Sequence, residues 1–182
     1  MNKKLILLLK KIYKEREKYW NLAEETAIFI NLTIKDRKYK TALEIGTSTG
    51  YSGLWIAAAL SKTKGHLYTI ESHEKERFSL ARNNFQKSGL KKYITQILGH
   101  APKSIPKIPK YFDFILFDAT KYEYPSYFKV LKNRVKKGGM IIADNINSHR
   151  KELLPYMNIL KKSPQYESFQ LDIGTGILVS VK

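Results

Sequence analysis

One stretch of eleven residues, 42–52, constrains the fold of this chain more than any other segment. It reads A-L-E-I-G-T-S-T-G-Y-S, in which β-suited residues lead into a turn bracketed by Gly46 and Gly50, and apolar residues at helical spacing follow it. The pattern predicts a buried strand, a tight turn and a helix, whose free N-terminal N–H groups suit a ligand. A serine and a threonine precede Gly50, so the spacing is not the G-x-G-x-x-G of dinucleotide-binding proteins. An NAD-dependent oxidoreductase is therefore disfavoured.

The rest of the chain alternates strand-like and helix-like segments. Predicted strands are residues 41–45, 66–70, 93–98, 112–117, 140–143, 166–171 and 177–181, and predicted helices are 3–33 with a break near Asn21, 51–61, 74–88, 124–136 and 148–162. Gly89 and Gly138 stand where helix C-caps are expected. The alternation predicts an α/β fold with a parallel sheet and right-handed crossovers. Residues 173–176 are too few for a crossover helix, so the last two strands should form an antiparallel hairpin.

Length and composition narrow the class of protein. The 182 residues suit a single domain, with a helical segment at 1–33 and a core at 34–182. The absence of cysteine excludes disulfides, thiolate metal sites and a cysteine nucleophile, and it is consistent with the cytoplasm. The apolar run at 5–9 is too short to cross a membrane.

The net charge of +17 comes from 27 lysines and 6 arginines spread over the whole chain. Arginine is the residue suited to bidentate phosphate recognition, whereas lysine acts as a mobile, hydrated point charge. This distribution favours a compositional bias over a dedicated nucleic-acid surface.

Four acidic residues fall where predicted parallel strands end: Glu44, Glu71, Asp118 and Asp144. Open α/β sheets bind ligands at the carboxyl ends of their strands. A single acid after a strand is usually a helix N-cap, but four at one edge indicate a pocket that favours cations. Glu71 lies 25 residues after Gly46, close to the position of a ribose-binding acid in nucleotide folds.

The motif at 42–52 resembles motif I of the class I S-adenosylmethionine-dependent methyltransferases, and L-E-I-G-T-x-T-G-Y-S is similar to the catechol and caffeoyl-coenzyme A O-methyltransferases. Two further segments, D-x-x-K-x-x-Y at 118–124 and G-G-x-x-x-x-D-N at 138–145, resemble the metal-dependent members. The resemblance extends over about residues 22–182. It implies a Rossmann-like class I methyltransferase fold, with a mostly parallel seven-stranded sheet, an antiparallel last strand and helices on both faces.

The resemblance also implies two groups of site residues. The S-adenosylmethionine site would comprise Glu44, Gly46, Ser48, Gly50, Tyr51, Ser52, Glu71, His100, Ala101 and Asp118. His100 is a departure, because many relatives carry aspartate at this position beside the adenine. A metal site would comprise Asp118, Asp144 and Asn145, whose hard oxygens suit Mg²⁺, Ca²⁺ or Mn²⁺ rather than Zn²⁺. Lys121 is the candidate catalytic base and His149 a second one.

These observations favour a cytoplasmic O-methyltransferase that acts on a small acceptor, one with vicinal hydroxyls, together with a divalent metal. No membrane partner is expected, and the resemblance implies that the N-terminal helix contributes to dimer or acceptor contacts. One alternative is a tRNA hydroxyuridine O-methyltransferase, and another is a basic nucleic-acid-binding module without catalysis. Residues that would follow phosphates in those alternatives are Lys103, Lys107, Lys110, Lys129, Lys132, Arg134, Lys136 and Lys137.

Overall fold

Seven strands form one sheet in the computed structural model, which describes residues 1–105 and 108–182 and, within them, leaves aside the side chains of residues 74 and 75. Lys107 therefore lies outside the described residues. The strands are β1 Thr41–Ile45, β2 His66–Glu71, β3 Ile94–Leu98, β4 Phe112–Phe117, β5 Val135–Asp144, β6 Glu167–Leu171 and β7 Ile177–Val181. Their order in the sheet is β3-β2-β1-β4-β5-β7-β6.

The sheet is parallel from β3 to β5, and β7 runs antiparallel to both β5 and β6. The predicted fold class and the terminal hairpin are confirmed. Three predicted strands, 41–45, 112–117 and 177–181, have the predicted bounds.

Helices cover both faces of the sheet. They are α1 Lys3–Tyr13, α2 Arg16–Tyr19, α3 Glu24–Asp36, α4 Tyr51–Thr63, α5 Ser79–Ser88, α6 Tyr124–Leu131 and α7 Arg150–Lys161, with a π-helical turn at Glu74–Phe78 and 3₁₀ turns at Lys91–Tyr93 and Lys121–Glu123. Successive residues of a strand point to opposite faces. Ala42 of β1 therefore packs with α1, α3, α4 and α5, whereas its neighbour Leu43 packs with α6 and α7.

Two predicted helices are wrong in their extent. The break predicted near Asn21 is present at Trp20, whose φ is +52°, but the chain also breaks after Tyr13, so the N-terminal segment forms three helices. The helix predicted over 124–136 ends at Leu131, and β5 already begins at Val135.

Gly89 caps α5 with φ +75°, as predicted, but Gly138 does not cap a helix. Gly138 lies inside β5, where the register between β4 and β5 shifts and its own φ is +74°. Its N–H donates to the Lys182 carbonyl over 2.6 Å and its carbonyl accepts from the Tyr39 hydroxyl over 2.7 Å. Both partners are distant in sequence, so this irregularity depends on tertiary contacts.

Candidate active site

A cavity of about 980 Å³ opens at the carboxyl ends of β1, β2, β4 and β5. Most of the site residues predicted from the sequence line it: Gly46, Ser48, Ser52, Glu71, His100, Ala101, Asp118, Lys121, Asp144, Asn145 and His149. The topology thus brings the predicted cofactor and metal groups to one edge of the sheet, as expected for an open α/β fold.

Gly46 holds the turn after β1 against the end of β4. Its N–H donates to the Ile70 carbonyl over 3.1 Å, and the Asp118 N–H donates to the Ile45 carbonyl over 3.0 Å. A Cβ at Gly46 would lie 2.0 Å from the Asp118 carbonyl oxygen, and its φ is +99°. Only glycine satisfies both conditions, so this residue keeps the ends of three strands together at the cavity wall.

Glu71, at the end of β2, is buried and rigidly held. Its Oε2 accepts the Ser48 N–H over 2.8 Å, and its Oε1 accepts the His73 N–H over 2.9 Å. The His73 ring Nδ1 lies 3.1 Å from the same Oε1. A carboxylate offers about four acceptor positions, so Glu71 keeps capacity for hydroxyl groups of a ligand in the cavity.

Glu44 does not line the cavity, although the sequence placed it in the cofactor site. It is fully buried beneath the turn, where Thr69 Oγ1 donates to its Oε2 over 2.6 Å. Its Oε1 has no hydrogen-bond partner among the described residues. Burial raises the pKa of Glu44 to about 8. A carboxyl so placed supports the turn from below and does not face a ligand.

Gly50 and Tyr51 also lie outside the cavity lining. Gly50 has φ +83°, and a Cβ there would lie 2.6 Å from the Phe85 ring. Tyr51 is buried and stacks on Tyr13, with ring centroids 5.1 Å apart. Gly50 and Tyr51 thus pack the start of α4 against the core. The next residue, Ser52, lines the cavity.

The two carboxyl groups of the predicted metal site are both strongly desolvated. Burial and the neighbouring charge of Asp118 raise the pKa of Asp144 to about 7. Burial also raises the pKa of Asp118, against the opposing effect of Lys121, whose Nζ lies 3.5 Å from Asp118 Oδ1. Two neighbouring buried acids with raised pKa values are suited to a cation that neutralises them.

Asn145 supplies the third oxygen of this set. It follows β5 with φ +71°, and its Nδ2 donates to Thr175 Oγ1 over 3.2 Å. Its Oδ1 is buried and has no donor among the described residues. In that part of the chain no three His, Cys, Asp or Glu side chains group as a metal site, so the available set is two carboxylates and one amide. These oxygens fit a hard cation that keeps water or substrate in its remaining positions.

His100 lines the cavity and contacts Glu123, which follows β4. Its Nε2 lies 3.3 Å from Glu123 Oε2, which also accepts the Tyr127 hydroxyl over 2.7 Å. The preceding Gly99 N–H donates to the Glu71 carbonyl over 2.9 Å, so His100 stands next to the proposed ribose acid.

His149 lies at the exposed rim near the metal residues. Its N–H donates to the Asn145 carbonyl over 2.9 Å, and its Nδ1 lies 3.0 Å from Ser148 Oγ. Its backbone forms the N-cap of α7, so the helix starts two residues later than predicted.

The family model for O-methyltransferases matches residues 2–182 of this chain. The chain belongs to the O-methyltransferase family. It is accordingly an S-adenosylmethionine-dependent O-methyltransferase, and its relatives include proteins named as caffeoyl-coenzyme A and catechol O-methyltransferases.

Named relatives of this O-methyltransferase span most of its length. The caffeoyl-coenzyme A O-methyltransferase of Zinnia elegans is 30% identical over 185 residues, which cover 87% of this chain and 75% of that protein. The catechol O-methyltransferase of Niastella koreensis is 33% identical over 122 residues, which cover 65% of this chain and 54% of that protein. The solved structure of the Bacillus cereus O-methyltransferase in complex with S-adenosylhomocysteine (SAH) has a TM-score of 0.86 at 24% identity, and the match covers 100% of this chain and 92% of that one.

Part of this O-methyltransferase site comes from the N-terminal segment, in which the sequence predicted no site residue. Ser48 Oγ donates to the Tyr19 carbonyl over 2.7 Å, and Thr49 Oγ1 donates to Asn21 Oδ1 over 2.8 Å. Trp20, which is 76% exposed, lines the cavity, and the Arg77 guanidinium lies 5.1 Å from the centroid of its ring. The only signal in the sequence was the loss of helical periodicity near Asn21.

No helix in the described ranges is both long enough and apolar enough to span a membrane.

Proposed function

We propose that this enzyme methylates one hydroxyl of a small acceptor that carries two adjacent hydroxyls, with a divalent cation held by Asp118, Asp144 and Asn145. One observation carries the proposal. The buried Asn145 Oδ1, which has no donor among the described residues, stands beside two carboxyls whose pKa values burial has raised. A buried acceptor without a partner is costly, and a cation would satisfy all three groups together.

The cofactor side of the cavity is formed by the turn after β1 and by Glu71. S-adenosylmethionine, when bound, supplies an electrophilic methyl group on its sulfonium. Glu71 would accept hydrogen bonds from the two ribose hydroxyls, since its carboxylate is already fixed by Ser48 and His73. Ser52 and the backbone at Gly46 line the same cavity and would hold the amino-acid end.

The metal side explains why the acceptor should have vicinal hydroxyls. A phenolic hydroxyl with a pKa of about 10 costs roughly 4 kcal/mol to ionise at pH 7. A bound Mg²⁺ would lower that pKa and orient the oxygen. Two carboxylates and one amide leave coordination positions open for a pair of adjacent acceptor oxygens. Asp118, Asp144 and Asn145 thus select an acceptor that can offer two oxygens at once.

In this proposal Lys121 accepts the proton of the acceptor hydroxyl. Its Nζ lies at the cavity wall, 3.5 Å from Asp118 Oδ1, and its side chain is only 16% exposed. In the transfer the bond between sulfur and methyl breaks, the bond between oxygen and methyl forms, and the hydroxyl proton would pass to the Lys121 amine. His149, at the solvent-exposed rim, is the group through which that proton would leave.

The test is methyl transfer from S-adenosylmethionine labelled in the methyl group, with and without Mg²⁺. Catechol and caffeoyl derivatives are the acceptors, resorcinol is the matched control with non-adjacent hydroxyls, and bulk tRNA tests the alternative. We expect labelling of the vicinal acceptors that requires Mg²⁺, and little labelling of resorcinol.

Full activity after exhaustive chelation would overturn the metal part of the proposal. Methylation of tRNA with all vicinal acceptors inert would overturn the acceptor class. Binding of SAH, measured by calorimetry, reports on the cofactor site independently of either outcome.

A further inference from the structure

The turn between β6 and β7 places one hydroxyl against two of the proposed metal residues. Thr175 Oγ1 lies 3.0 Å from both Asp144 Oδ1 and Asp144 Oδ2, and it accepts the Asn145 Nδ2 donor over 3.2 Å. Thr175 itself lines the cavity and is half-buried. No sequence motif singled it out.

Hydrogen-bond chemistry fixes the direction of these contacts. A threonine hydroxyl has one proton to donate and lone pairs with which to accept. Its proton goes to the Asp144 carboxylate, so its oxygen can only accept from Asn145. That requires the amide nitrogen of Asn145 to face Thr175 and leaves Asn145 Oδ1, which has no other partner in the described chain, as the oxygen available for a cation.

The backbone on both sides of Thr175 is held in place. Its carbonyl accepts the Asn147 N–H over 3.1 Å, and the next carbonyl, of Gly176, accepts the Ile146 N–H over 2.9 Å. On the other side, a Cβ at Gly174 would lie 2.6 Å from Ala23 Cβ, at the start of α3. The hydroxyl is therefore presented by a turn that is packed against the segment following β5.

We infer that Thr175 is a positioning residue of the cation site, which orients the Asn145 amide and one carboxylate of Asp144. The inference rests on the proposed metal dependence. Groups that hydrogen-bond to metal ligands commonly change metal affinity by about 10- to 100-fold when they are removed. The hydroxyl of Thr175 forms hydrogen bonds with two proposed ligands, Asp144 and Asn145, and the methyl group takes part in neither bond.

The experiment titrates the purified full chain with Mn²⁺ and measures the free ion by electron paramagnetic resonance. Thr175→Val removes the hydroxyl at nearly constant volume. Thr175→Ala removes both the hydroxyl and the methyl group, whereas Thr175→Ser retains the hydroxyl. We expect the Kd for Mn²⁺ to rise about tenfold or more in the valine and alanine variants and to stay within about threefold of the wild-type value in the serine variant. Affinity for SAH and the melting temperature serve as measures of an intact fold, and both should change little.

The outcomes separate this inference from the function on which it rests. A wild-type protein that fails to bind Mn²⁺ would overturn both the metal dependence and the role of Thr175. If the wild type binds Mn²⁺ and the hydroxyl-free variants bind it equally well, the metal site stands and the role of Thr175 is wrong. Equal weakening in the serine variant would likewise overturn it, because the hydroxyl would then be irrelevant.

Discussion

The backbone N–H of Ser48 donates to Glu71 Oε2 over 2.8 Å, and this bond ties the glycine-bracketed turn after β1 to the end of β2. Ser48 holds φ +46°, an unusual value for a residue with a side chain, and its Oγ donates to the Tyr19 carbonyl. One residue therefore joins the turn, Glu71 and the N-terminal segment. Changes at Glu71 should affect both the ligand and the turn.

Replacing Glu71 tests the cofactor site directly. Glu71→Ala should weaken binding of SAH by roughly 1.5–3 kcal/mol, because charge-assisted hydrogen bonds have about that value. Glu71→Gln should weaken it less, since the amide oxygen can still accept the Ser48 N–H. Calorimetry measures both, with the exposed Glu167→Gln as the control. Unchanged affinity in the alanine variant would remove Glu71 from the site.

Replacing Asp144 should slow methyl transfer without weakening the binding of the cofactor. Asp144→Asn preserves the shape and can still accept from Thr175, but it loses the charge that would hold a cation. We expect catalysis to fall by more than about 100-fold, given that even indirect partners of metal ligands change affinity by about 10- to 100-fold. Affinity for SAH should stay within about twofold. Asp36→Asn, an exposed change at the end of α3, is the matched control, and equal activity in the two variants would contradict the metal assignment.

Gly46 and Gly89 allow the cost of backbone strain to be separated from the cost of a steric clash. Both have positive φ, but a Cβ at Gly46 would lie 2.0 Å from the Asp118 carbonyl, whereas nothing lies within 4 Å of one at Gly89. Gly89→Ala should lower the free energy of unfolding by about 1–2 kcal/mol through backbone strain alone. Gly46→Ala should cost at least about 2 kcal/mol more, because the backbone of β4 must move. Urea unfolding of the two variants measures the difference, and equal losses would show that the close approach is unimportant.

Glu44 should make stability depend on pH. Burial raises its pKa from 4.5 to about 8, so the folded protein keeps a proton that the unfolded chain releases above pH 4.5. The folded state then binds more protons between pH 4.5 and 8, and the free energy of unfolding falls as pH rises through this window, by up to about 1.4 kcal/mol per pH unit. Below pH 4.5 and above pH 8 the contribution of Glu44 to the free energy of unfolding no longer changes with pH.

Glu44→Gln removes that titration while keeping the shape and an acceptor for Thr69. Denaturant unfolding at pH 5, 6, 7 and 8 should therefore show the wild type losing stability relative to the variant as pH rises. Parallel curves for the two proteins would mean that Glu44 is ionised in the folded state.

The parts of the fold that could be predicted were those encoded by local pattern. Strand β1, the turn at Gly46 and the helix after it follow one another in the sequence, and each has its own periodicity or backbone requirement. The carboxyl-end rule then predicted that Glu71, Asp118 and Asp144 would meet, because parallel strands place these ends at one edge. The structure brings all three to one cavity.

Long-range contacts decided what local pattern could not. Glu44 belongs to the motif at 42–52, yet its side chain points into the interior. The alternation of side chains along a strand and the contact with Thr69 determine this orientation. Gly138 was predicted to cap a helix, and its pairing with Lys182 keeps it in a strand instead.

The amino-acid sequence by itself determined the class of fold, the edge of the sheet that forms the site and most of the residues that line it. Only the tertiary structure brought Trp20 to the cavity and Thr175 to Asp144 and Asn145. Neither residue belongs to a motif, since each acts through contacts with partners about 30 residues or more away. Such contacts depend on how a turn or a helix break packs in three dimensions, and residue spacing along the chain does not encode that packing.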